Sequence, residues 1–235
     1  MTEAIAGSRA SSGVHESTPR PIMRSVVHRK HAELGAQFEM RGSWSVPAVY
    51  ASIDAEIAAL RTTVGFADIS ARGTLHLSGA VDGYVSSLTG AKLDPLYAAA
   101  ATSGGVVARL AGDWALALLA PSAEGAVMAS LEQQQADGAM ATDVTSAYSG
   151  FVVAGPRLDE LLVRTLTVDP AGLLPGRCAT ASWARIPAIL VIKESTVPAV
   201  EIYVSSDYGR YAWERLQEFA GAPVGWRALE AWGWT

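Results

Sequence analysis

Cys178 is the only thiol in this 235-residue chain. No intrachain disulfide can form, and no cysteine-based metal site is available. Long apolar runs are missing too. Each is broken by Gly, Pro or a charged residue well short of the ~20 residues needed to cross a bilayer, so no membrane partner is expected. The N-terminus has no basic region leading into an apolar run, so no secretory signal is expected and the cytoplasm is the expected location. Charged residues make up only 17%, and the net charge of −5 includes no basic block, which argues against nucleic acid as a partner. Nucleotide and nucleophile fingerprints are lacking as well. Ser103-Gly-Gly105 is too short for a dinucleotide loop, and there is neither a Gly-Lys-Ser/Thr phosphate loop nor a Gly-x-Ser-x-Gly elbow. His28 and His31 could share a helix face. His15 and His76 lie far off in the chain, so no third ligand follows and no metal is expected. Cys178 follows Arg177 but has no paired histidine, and it reads as structural.

Half the residues are apolar, enough for a large core, and seven Trp with seven Tyr is a generous supply of rings. Residues 1–22, rich in Ser, Ala, Gly and Pro without periodicity, read as a mobile tail. Residues 23–235 read as the folded region, with two interleaved subdomains as an option. Gly42 to Tyr50 reads as an aromatic loop. Ser52 to Arg61 reads as a helix with Ile53, Ile57 and Leu60 on one face. Gly65 to Ser70 leads into a strand, Gly73–Gly79, with Leu75 and Leu77 inward and His76 exposed. Gly105–Leu110 and Trp114–Leu119 form a hairpin, and Thr142–Tyr148 with Gly150–Ala154 a second one. Helices are expected over 81–88, 124–135 and 157–166, and strands over 177–183 and 186–193. Strands and helices mix without βα alternation, so the expected class is α+β with antiparallel sheets and packed helices.

The stretch from Thr196 to Phe219 organises the rest. Val200, Ile202 and Val204 alternate with Glu201, Tyr203 and Ser205, the period of a strand with one buried face. Ser205, Ser206 and Asp207 then offer caps for a helix carrying Tyr208, Tyr211, Trp213, Leu216 and Phe219. Glu201 sits in the middle of that strand, on the face its apolar neighbours leave. If the face is solvent, Glu201 is an ordinary exposed carboxylate. If it lines a cleft, the carboxylate can accept two hydrogen bonds from a flat ring that presents adjacent N–H donors.

Several stretches, in order, resemble the aminomethyltransferase family, the glycine cleavage T-protein and its relatives. They are His31-Ala-Glu-Leu-Gly-Ala36, Trp44-Ser-Val-Pro47 with Tyr50, Arg61-Thr-Thr-Val-Gly65-Phe-Ala-Asp68-Ile-Ser70, Ser103-Gly-Gly-Val106, Val152-Val-Ala-Gly155-Pro156, Val200-Glu201-Ile202 and Gly225-Trp-Arg227-Ala-Leu229. Together they span residues 26–232. The resemblance implies a folate-binding fold with tetrahydrofolate as cofactor and a part in methyl or methylene transfer. It implies that Glu201 accepts from the pterin N–H groups and that Arg227 belongs to the same site. Tyr97, near the family's aromatic position before the Gly-Gly turn, is a weaker candidate.

The departures bear on activity. Where T-proteins carry acidic residues after the Gly-Gly turn, this chain reads Val106-Val107-Ala108-Arg109. An Asn-Asp pair is replaced by Gly90-Ala91, and a Gly-Tyr-Thr-Gly-Glu loop is reduced to Glu194-Ser-Thr-Val-Pro198. Loss of a catalytic acid removes a contribution typically worth several kcal/mol, so T-protein chemistry by the chain alone is not expected. No C-terminal β-barrel is expected either, and in this the chain is similar to the gamma subunit of heterotetrameric sarcosine oxidases. The motif of an iron–sulfur-repair relative is missing around Arg177-Cys178-Ala179. Two roles stay open: a folate-dependent transferase or demethylase component acting on a small-molecule methyl donor, or a non-catalytic structural subunit of an amine-oxidising complex. The expected partner is a second protein subunit or another copy, and Trp226, Trp232 and Trp234 are candidates for that interface or for packing under the terminal helix.

Overall fold

A computed structural model describes residues 21–94, 96–134 and 138–234; the expected tail therefore lies almost wholly outside the described residues, as does the end of the helix expected over 124–135. In chain order the elements are β1 (Met23–Arg24), α1 (His28–Glu33), β2 (Gln37–Arg41), β3 (Trp44–Val49), α2 (Ile53–Thr62), β4 (Gly65–Asp68) and β5 (Gly73–Gly79). Next come α3 (Asp82–Thr89), β6 (Ala98–Thr102), β7 (Gly105–Ala111), β8 (Trp114–Leu119), α4 (Glu124–Gln133), β9 (Ala139–Asp143) and β10 (Tyr148–Ala154). The last are α5 (Leu158–Thr165), β11 (Cys178–Trp183), β12 (Ile186–Ile192), β13 (Ala199–Ser205), α6 (Gly209–Phe219) and α7 (Trp226–Trp232). The class is α+β, with two five-stranded antiparallel sheets, β11-β12-β13-β10-β4 and β6-β7-β8-β5-β9, and a small sheet β1-β3-β2.

Period-two alternation explains the layering. On β13, Val200, Ile202 and Val204 pack with Phe151, Leu161, Trp213 and Leu216 under α5 and α6. On β7 and β8, Val107, Ala115, Ala117 and Leu119 pack under α3 and α4 with Tyr84, Val85 and Leu131. The remaining faces meet each other. Ile189, Val191, Tyr203 and Val152 of the first sheet share a cluster with Val106, Ala108, Leu116 and Leu118 of the second. Glu201 lies on that inner face, which is why it is fully buried rather than wet. Cys178 marks the seam between the sheets: its thiol donates to the carbonyls of Ala98 and Arg109 at 3.4 Å, and burial pushes it up to about 12.

Four local expectations are corrected. The stretch Gly42–Tyr50 contains a strand, β3, despite Pro47; β1 pairs only with Trp44 and Ser45, so the edge of Pro47 away from β2 needs no donor. Gly65–Asp68 is a strand of its own, paired with β10. The proposed hairpin over 142–154 does not form: β9 pairs with β5 while β10 lies between β13 and β4, so the 3-10 turn Thr145–Ala147 crosses between sheets. His76 is half-buried, edge-on to Trp114 at 6.0 Å, rather than exposed.

α1 is tied down through His31. Its Nε2 pairs with Asp68 Oδ2 in a buried bond and its Nδ1 with the Tyr50 hydroxyl in a partly buried one, both at 2.7 Å. With both ring nitrogens engaged, His31 has no lone pair for a metal. Among the described residues no group of three or more His, Cys, Asp or Glu is placed to hold one, and no helix is long and apolar enough to cross a membrane.

Candidate functional site

Glu201 is the centre of a buried polar cluster. Arg72, from the turn between β4 and β5, donates from Nη1 to Glu201 Oε1 at 2.7 Å. Tyr203, two residues along the same strand face, donates its hydroxyl to Oε2 at 2.8 Å. Lys193, just past β12, places Nζ 3.4 Å from Oε1. The guanidinium is held on its other edges by the carbonyls of Leu118, at 2.8 Å, and Leu119, at 3.3 Å. Burial alone would raise the Glu201 carboxyl; the Arg72 and Lys193 cations and the Tyr203 hydroxyl outweigh it and hold the group below its ordinary value. Tyr203 is pushed the other way, first by burial and then by the adjacent carboxylate.

A group depressed in the folded state contributes stability that is present above its unfolded value and lost as the pH falls through the folded one. For Glu201 the unfolded reference is 4.5. Asp68 behaves in the same way: burial raises it, and the hydrogen bond and attraction of His31 together with hydrogen bonds from Ser25 and Ser70 more than offset that. The expected result is a melting temperature that is level near neutrality and falls below the ordinary carboxylate range. Thermal melts across pH check it, and a flat profile down to a pH of about 3 contradicts it.

A cleft of about 670 Å³ opens beside this cluster. Arg72, Lys193 and Glu194 line one part of it, the Ser103-Gly-Gly105 turn another, and Trp226, Glu230, Trp232 and Trp234 a third. Gly105 is required at the turn, since a Cβ there would lie 1.9 Å from the Leu118 carbonyl oxygen. Trp234 lies over Arg72, with 5.3 Å between Cζ and the ring centroid, and over Lys193 Nζ at 5.9 Å. Trp226 braces it edge-on at 5.8 Å and itself donates to the Asp68 carbonyl at 2.9 Å. Trp226 and Trp234 are buried and Trp232 is half-buried, so these rings pack at the cleft rather than standing out as a free interface.

The three residues expected at the site do not converge. Glu201 lies beneath Arg72. Arg227 is on the exposed side of α7, donating to Glu39 Oε2 at 2.9 Å, and does not line the cleft. Tyr97 precedes β6 with a φ of 56° and a side chain 40% exposed, also outside the cleft lining. Sequence reading passed over Arg72, Lys193, Tyr203 and the position of Trp234. Only Tyr203 carried a local signal, since two residues apart on a strand means the same face.

A family model, the GCVT N-terminal domain, matches residues 27–232. The chain belongs to that family. It is 28% identical over 215 residues to a probable aminomethyltransferase of Halobacterium salinarum, an alignment covering 83% of this chain and 59% of that protein. It is 30% identical over 184 residues to an aminomethyltransferase of a Parafrankia species, covering 72% of this chain and 50% of the relative. This GCVT-family chain thus spans little more than half the length of those curated relatives. Among solved structures, glycine cleavage system aminomethyltransferase T from Bartonella henselae superposes with a TM-score of 0.74 at 17% identity, over 88% of this chain and 61% of that one. A chain of the heterotetrameric sarcosine oxidase from a Corynebacterium species superposes with a TM-score of 0.57 at 20% identity, over 73% of this chain and 94% of that one. Both likenesses are of fold.

Proposed function

We propose that this GCVT-family chain is a non-catalytic subunit of a larger amine-oxidising or demethylating complex, with its own pterin-facing carboxylate closed off. One observation carries the reading: both Glu201 oxygens already accept hydrogen bonds from the chain itself, from Arg72 and Tyr203. A pterin would have to displace a buried ion pair to reach them. The position where T-proteins carry an acid supports the same role. Arg109 stands there, and its guanidinium is spent on Asp82 and the carbonyls of Ala111 and Gly112. The sarcosine oxidase chain is the precedent for a subunit of this fold and span. Apolar surface for a partner is present at Leu96, Tyr97 and Leu174, gathered around Arg177, whose Nη2 donates to Leu96 O and backbone N–H to Leu174 O.

A second reading keeps the chain as a tetrahydrofolate-binding component of methyl or methylene transfer, and the open cleft beside Arg72 and Lys193 favours it. Calorimetric titration with tetrahydrofolate separates the two. No heat is expected from the wild type or from Glu201→Ala. Micromolar binding that Glu201→Ala loses would overturn the closed-site reading. Sizing of the chain drawn from its own cells is expected to show a complex with other polypeptides, and a lone monomer would count against the subunit role.

A further inference from the structure

Glu201 holds one donor on each oxygen, a guanidinium N–H and a hydroxyl. The guanidinium is a planar N–C–N unit with outward N–H groups. A 2-amino-4-oxo ring such as a pterin presents the same unit along one edge: an exocyclic amine beside a ring N–H. The carboxylate could accept one donor of such an edge on Oε1, where Arg72 Nη1 now sits, and the other on the second lone pair of Oε2 beside the Tyr203 hydroxyl. Arg72 also reaches Glu201 from the turn that crosses between the two sheets rather than from a neighbouring strand position, and two backbone carbonyls of β8 fix its orientation. An aromatic ring then covers it. Trp234 lies 5.3 Å over the guanidinium, as a side chain stacks on a flat bound ligand, and its indole N–H is buried without a partner among the described residues.

We propose that Arg72 is a built-in occupant of the ligand position at Glu201, covered by Trp234, and therefore the residue that determines what the cleft accepts. The proposal rests on the closed-site reading above and adds the cause of the closure. It follows that removing the guanidinium leaves a recognition edge for 2-amino-4-oxo rings that the wild type hides. An ordinary structural ion pair between sheets predicts no such gain.

The test is tetrahydrofolate titration of the wild type, Arg72→Met and the Arg72→Met/Glu201→Gln double variant. Arg72→Met is expected to bind at least about tenfold more tightly than the wild type, and the double variant to lose that gain. A folded Arg72→Met that binds no better than the wild type overturns the proposal and leaves the closed-site reading standing; tetrahydrofolate binding by the wild type through Glu201 sinks that reading itself. Where Arg72→Met does not fold, Arg72→Ala titrated with methylguanidinium takes its place. Restoration of the cooperative melt at concentrations that leave the wild type unchanged supports Arg72 as an occupant of a guanidine-shaped site. No restoration overturns it.

Discussion

Arg72→Met is expected to cost about 3–5 kcal/mol, because it strands a buried carboxylate that has lost its main counter-ion. At about 2–4 °C per kcal/mol for a chain of this size, the melting temperature falls by roughly 10 °C. Lys193 compensates only in part, since its ammonium stands 3.4 Å from Oε1 and its side chain is still 19% exposed. The comparison that isolates the electrostatic cause is Arg72→Met/Glu201→Met. Replacing both partners with apolar groups removes the stranded charge, so the double variant should be more stable than Arg72→Met alone. Circular-dichroism melts of the three proteins decide it. A double variant less stable than Arg72→Met would mean that packing of the two side chains, not their charge, holds the sheets here.

Glu56→Ala is the second large effect. The carboxylate is buried in α2 and accepts from three backbone N–H groups: Tyr50 at 2.7 Å and Ala51 at 3.0 Å through Oε1, and Gly225 at 2.7 Å through Oε2. Truncation orphans all three, the Gly225 N–H in a fully buried place and those of Tyr50 and Ala51 in partly wet ones, at about 1–3 kcal/mol for the buried group and less for each of the other two. A total loss of about 4 kcal/mol is expected in urea unfolding. Glu56→Gln should cost less, since its carbonyl oxygen still accepts. The position also governs the cleft. Gly225 leads into α7 and packs so tightly that a Cβ there would lie 2.1 Å from the Ala48 carbonyl oxygen. Release of that end frees Trp226 and with it the brace behind Trp234. A change in tryptophan fluorescence below the main unfolding transition is the expected sign, and an unchanged spectrum until global unfolding would contradict it.

The sequence announced what is local and left out what is not. The alternation through Val200, Ile202 and Val204 identified β13, and the hairpin strands Gly105–Leu110 and Trp114–Leu119 were read nearly to the residue. Sheet membership was invisible, because β9 and β10 are close in sequence and their strand signals do not say which neighbours they take. β6 was missed because Ala98–Ala101 is an alanine run, poor in the β-branched and aromatic residues that mark strands. At the site, Glu201 was found because a charge inside an apolar strand is anomalous. Arg72 was not, because an arginine in Ser70-Ala-Arg72-Gly73 reads as an exposed turn residue. Its burial comes from the carbonyls of Leu118 and Leu119 and the carboxylate of Glu201, which lie 46, 47 and 129 residues away in the chain.

The lone thiol supplies a clock for the whole architecture. Cys178 belongs to one five-stranded sheet and its two acceptors to the other, so a disulfide reagent can reach it only when the seam between the sheets parts. Its raised ionisation leaves almost no thiolate to react while the seam is shut. The labelling rate under native conditions therefore counts openings of that seam alone, with no background from any other thiol.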